Sequence, residues 1–175
     1  MTTEPVGPIV SRHCHAILDG DRGAILPLAD RLQELGHPNA ERVRALHSSP
    51  YFCASQDESV AVLLALPGDI CWLLACDFAD HWMSEIHADT SPGSRHAQIV
   101  QLCRGRATGG AADARLAGLL AAAPRYYQLW ATAPSGNEAA TKALCVVLAF
   151  SATGGREPAW QHRRIREYLP SGDGG

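Results

Sequence analysis

A chain of 175 residues that is 46% hydrophobic, 19% charged and only 6% aromatic has the length of one domain and the composition of a folded globular protein, not of a disordered one. Its formal charge of −3 argues against nucleic acid as a partner, which requires a concentrated basic face. Lys142 is the sole lysine, so a Schiff-base mechanism would have one candidate and no supporting pattern around it.

The amino terminus, MTTEPVGPIVSRH, lacks the basic start and apolar run of a secretory signal. The most apolar stretch, Val60 to Ala79, is interrupted by Pro67-Gly68-Asp69, and neither half reaches the roughly 20 residues that span a bilayer. The expected setting is cytoplasmic, without a membrane partner. Ile9 to Leu18 places Ile9, Val10, Cys14 and Ile17 at helical spacing before the stop at Asp19-Gly20-Asp21. In the next segment Leu28, Leu32 and Leu35 form an i, i+4, i+7 stripe behind Pro27. Gly36 reads as a left-handed cap, and Pro38 opens a second helix with Val43 and Leu46 inward, giving a helical hairpin.

Ser55 to Glu58 reads as a capping box before the apolar run Val60 to Leu66, and Asp69 as the cap of a long helix that ends before Thr90-Ser91-Pro92-Gly93. Helices follow over about Arg95 to Cys103, Ala111 to Ala123, the region from Ser135 to about Ala152, and Pro158 to Tyr168. Strand signals are poor, since alternation and β-branched runs are missing. The expected fold is all-α, a single compact bundle of roughly eight to ten helices.

Six cysteines are scattered without a CxxC pair, and most sit among apolar neighbours, where a thiol behaves as a small hydrophobe. The triplet His13-Cys14-His15 has its imidazoles about 200° apart on a helix, too divergent to share a metal. "ATGG" and "SATGGREP" fit neither GxxxxGK[ST] nor GxGxxG after a strand and read as turns.

The densest chemistry lies in "CDFADHWMSEIH", residues 76–87. On a helical wheel Ala75, Phe78, Ala79, Trp82, Met83 and Ile86 share an arc of about 140°, while Cys76, Asp77, Asp80, His81, Ser84, Glu85 and His87 lie opposite. That separation is expected of a core-facing helix with a solvated polar side. A metal reading would use Asp77, His81 and Glu85 at i, i+4 steps with a remote ligand such as His96, but HExxH spacing is absent. No catalytic, cofactor or metal residue is therefore assigned. Asp77, Asp80, Glu85 and Asp89 form an acidic ridge with no cation between them, while Arg163, Arg164 and Arg166 cluster in the last helix. The two faces either pair within the fold or the ridge steers a basic partner. His81 shares that polar side. Tyr126, Tyr127 and Trp130, in "RYYQLW", cannot all face inward and carry the composition of an interface anchor.

Two resemblances cover most of the chain. "LADRLQELGHPNAERVRAL" resembles the short repeat-companion segment of many bacterial multidomain proteins, through Ala29, Asp30, Leu32, Glu34, Gly36, Pro38, Ala40, Glu41, Val43 and Arg44, with Arg31 where that segment usually has tryptophan. From about residue 70 to 170, "WLLACDFADHWMSEIHADTSPGSRHAQIVQLCRGRATG" and the closing "AWQHRRIREYL" are similar to Imm5-like helical immunity proteins. The resemblances imply a hairpin region over residues 1–50 packed on an immunity-protein-like domain over 54–170, with a flexible tail at 171–175. They imply a non-enzymatic bacterial protein that binds and restrains a protein partner, such as a toxic or proteolytic enzyme encoded nearby, in a conflict or defence system. The rival expectation is a metal-dependent enzyme or metal-binding protein built on His81, Glu85 and Asp77.

Overall fold

The computed structural model describes residues 7–48, 54–85, 89–107, 114–123 and 157–171. Every regular element among them is helical and none is a strand, so the fold is all-α. No helix among the described residues is long and apolar enough to cross a membrane. The chain divides into two compact units, one comprising Met1–Pro67 with Ala152–Gly175 and the other Gly68–Ser151.

The first unit opens with α1 (Pro8–Leu18), which has proline at its first position and buries Val10, Cys14, Ile17 and Leu18. Gly20, at φ +94°, ends it. The Gly20 N–H donates to the Ile17 carbonyl at 2.9 Å and the Asp21 N–H to that of Ala16 at 3.0 Å, a Schellman stop that satisfies the last carbonyls. A 3₁₀ turn (Arg22–Ala24) leads into α2 (Ile25–Glu34), with Ile25, Leu28, Ala29 and Leu32 inward. The same stop recurs at Gly36, φ +66°, with His37 N–H on the Leu32 carbonyl at 2.8 Å. The left-handed cap expected there is present, and the hairpin closes on α3 (Ala40–Ser48), whose Val43 and Leu46 are buried. Leu35, the last residue of the expected stripe, is exposed because it is the C-cap of α2.

At the centre lies α4 (Ala54–Ala65), which packs with α1, α3 and the C-terminal helix α8 (Glu157–Arg166). Gln56, Asp57, Glu58 and Ser59 are buried with the apolar run that follows. Ser55 does not stand outside as an N-cap, since the helix already begins at Ala54. A helix enclosed by three others has no outer face on which to place its polar start. Asn39 ties the hairpin to it, donating from Nδ2 to the Leu64 carbonyl at 3.0 Å.

The chain end is fastened to α1. Ser11 Oγ donates to the Pro170 carbonyl at 2.8 Å, and Arg166 Nη2 donates to that of Leu18 at 2.6 Å. His15 also contacts the Pro170 carbonyl, at 3.2 Å, so the "HCH" histidine serves packing. The division therefore falls at the Pro67-Gly68 break and not near residue 50, and the last helix belongs with the first.

The second unit contains α5 (Gly68–Glu85), α6 (Arg95–Ala107) and α7 (Ala114–Ala121). Ser94 caps α6, its Oγ accepting from the Ala97 N–H at 3.1 Å. Arg95 reaches the Ala122 carbonyl beyond α7 at 2.6 Å, and Arg115 of α7 donates to Gln98 at 2.9 Å. Leu116 and Leu120 are the buried line of α7. The expected helix from Ser135 to about Ala152 lies outside the described residues.

Candidate functional site

The helical wheel places every polar residue of α5 outside, and the structure corrects it at two positions. Cys76 and Asp77 are buried, because α6 packs along that side of the helix. Trp72, Cys76 and Asp80 follow one another at i, i+4 and so share one line. Facing them, His96, Ile99, Val100 and Cys103 form the buried line of α6.

Four charged or ionisable side chains close one end of this seam. Arg104 Nη1 is 2.6 Å from Asp77 Oδ1, and its Nη2 donates to Asp80 Oδ2 at 2.7 Å. His96 Nε2 lies 2.8 Å from Asp80 Oδ1. An ionised carboxylate can only accept, so the imidazole proton on this contact sits on Nε2. The Asp77 side chain keeps only 4% of its surface, whereas Arg104 keeps 37% and Asp80 42%. The cluster thus runs from a buried carboxylate to a half-exposed one through a single guanidinium.

Its electrostatics follow from that arrangement. Burial works to raise the Asp80 carboxyl, but hydrogen bonds from His96 and Arg104 and the guanidinium charge outweigh it and hold it below its ordinary value. Burial works to lower the Arg104 guanidinium, which the hydrogen bond to Asp80 and the charge of Asp77 carry upward instead. Burial pushes the Cys76 thiol well up, and the negative charge of Cys103 adds to it against the opposing Arg104.

Neither of the two accounts of the acidic ridge describes Asp77 and Asp80. Their cation is Arg104, from the neighbouring helix, and not the C-terminal arginines. Arg164 pairs with Glu167 and stacks its guanidinium over the Tyr168 ring at 5.2 Å, and Arg166 pairs with Asp19. Both Asp77 and Asp80 are engaged, so the outward acidic surface is narrower than the spacing suggested. His81 is half-buried and Glu85 exposed at the end of α5. Asp89 is exposed as well and organises the turn before α6, accepting from the Ser91 N–H at 3.0 Å and from its hydroxyl at 2.5 Å. These Ser91 hydrogen bonds, side-chain first, hold its carboxyl low. Tyr126, Tyr127 and Trp130 lie outside the described residues.

Asp77, His81 and Glu85 do not converge. Among the described residues no group of three histidine, cysteine, aspartate or glutamate side chains is placed to hold a metal ion. Asp77 instead faces a guanidinium, which a cation would have to displace. His96, considered in the sequence only as a remote ligand, belongs to Asp80. Arg104 carried no sequence signal of its own, although a histidine on the apolar line of α6 did point to a buried acceptor opposite. Comparison of the chain with models of protein families, with curated proteins and with solved structures finds no match.

Proposed function

We propose that this protein acts by binding, as a cytoplasmic, non-enzymatic helical protein that recognises and restrains a protein partner in the manner of an immunity or inhibitor protein. One observation supports this reading most: the carboxylates of the α5 region split into two sets. Asp77 and Asp80 are taken up by Arg104 inside the fold, whereas Glu85 and Asp89 stay exposed beyond it, with no cation within ion-pair distance among the described residues. An acidic end on a helix braced from within is suited to steering a basic surface, since such charges set association rate and specificity. His81, half-buried one turn before Glu85, borders that end.

The direct test is co-expression of the full chain with the products of adjoining genes, followed by size-exclusion chromatography and titration calorimetry. The expected result is a stoichiometric complex that silences the partner's activity at one equivalent and weakens about tenfold or more in Glu85→Lys/Asp89→Lys. Failure of every adjoining product to bind sinks the immunity-like reading. A complex indifferent to the charge reversal removes the acidic end from it.

A further inference from the structure

We propose that Cys76 and Cys103 are a latent disulfide, a covalent lock between α5 and α6 that a peroxide closes. Both thiols are free and fully buried, and contacts on either side of them set their register. Trp72, one turn before Cys76 on the same line of α5, donates its indole N–H to the carbonyl of Cys103 itself at 2.5 Å. Asp77, immediately after Cys76, is held at 2.6 Å by Arg104, immediately after Cys103. With neighbours joined on both flanks, Cys76 and Cys103 meet at the same level of the seam. The Cys103 charge acting on the Cys76 thiol agrees with that placement.

The chemistry balances with hydrogen peroxide as oxidant. One thiol, as thiolate, attacks the peroxide, whose O–O bond breaks to give a sulfenic acid and water. The second thiol then displaces the sulfenic oxygen as a second water, and the S–S bond forms. Overall two S–H bonds are lost and two sulfurs are oxidised by one peroxide. Burial keeps the thiols protonated and therefore slow, so the pair rests reduced and closes when oxidant persists through openings of the seam. The half-exposed Arg104 end is where a small oxidant enters.

The test uses the folded full-length chain, exposed to hydrogen peroxide, digested under non-reducing conditions and mapped by mass spectrometry. The expected major product is a Cys76–Cys103 linked peptide, reversed by dithiothreitol, while Cys14, buried alone in α1 with its thiol pushed up to about 12, stays reduced. The oxidised protein should unfold about 5–10 °C higher than the reduced one. Cys103→Ala should abolish the linked peptide, and because the mapping reads the unsubstituted chain, the result does not depend on that variant folding. Thiols recovered unlinked, oxidised singly, or joined mainly to Cys71 or any other cysteine overturn the proposal.

Discussion

The two units solve the same problem, placing polar groups beside a helical core, in different ways. In the first, charge stays at the rim. Arg44 bridges the hairpin to Asp30 at 2.6 Å, Glu41 at 2.8 Å and Gln33 at 2.9 Å, all on exposed ground, while Ala29, Leu32 and Val43 fill the interface beneath. In the second, charge enters the seam: Asp77 is buried and its compensation comes from a residue on another helix. A rim pair can be lost at little cost. A buried carboxylate stripped of its cation cannot be, because it keeps its desolvation penalty without the attraction that offset it.

The largest effect should therefore come from Arg104→Met. It leaves the Asp77 carboxylate uncompensated and is expected to cost about 3–5 kcal/mol, read as a drop in urea midpoint. Asp77→Asn introduced together with Arg104→Met should recover part of that loss, since the isolated charge is gone. A fall of less than about 1 kcal/mol in Arg104→Met, within the range of exposed pairs, would show that the seam behaves like the rim and erase the contrast.

Next comes Gly36→Ala. Nothing lies within 4 Å of the added methyl, so the whole cost is the left-handed backbone at φ +66°, about 1–2 kcal/mol. Gly118→Ala, equally open but in the helical interior of α7, should stabilise by about 0.5–1 kcal/mol. Opposite signs at two unobstructed glycines, measured by thermal unfolding, separate conformation from packing; matching signs would refute that account of the hairpin corner.

The same contrast explains what was legible beforehand. The hairpin obeys local rules: a leucine stripe, a glycine stop and a proline after it each act within a few residues, and the residues shared with the repeat-companion segment are its interface, its corner and the Asp30–Arg44 clasp. That motif therefore reads as a folding unit. The seam is non-local. A helical wheel assigns Asp77 outward from its own helix alone, and cannot know that α6 covers that side or that Arg104 supplies a partner 27 positions away. The clue was on the other helix, where His96 shares a line with Ile99, Val100 and Cys103. A histidine there must find an acceptor, and the only acidic residues at matching height on α5 were those first taken as solvated. The shape of the candidate site was thus half-readable: its residue types were visible, but which of them faced each other depended on the pairing of two helices.

Arg44→Met should lower stability by about 0.5–1 kcal/mol, since its partners are exposed and solvent replaces much of what is lost. A cost near that of Arg104→Met would mean that the rim clasp, too, governs the fold.

The smallest effect is a pH dependence confined to the seam. The folded state holds the Asp80 carboxyl below its ordinary value of 3.8. Between the folded and ordinary values the unfolded chain binds more protons, so Asp80 contributes stability above that range and loses it as pH falls through the folded value. Asp80→Asn cannot titrate there. The stability gap between the unsubstituted protein and Asp80→Asn should therefore be full at about pH 5 and shrink toward about pH 3, measured by urea unfolding at each pH. Because Asp80 is half-exposed, solvent screening keeps the change small, and adding salt should reduce it further. A gap that stays constant as pH falls would mean that Asp80 holds α5 to α6 by shape and hydrogen-bond geometry alone, and that Asp77 is the only carboxylate whose charge the seam depends on.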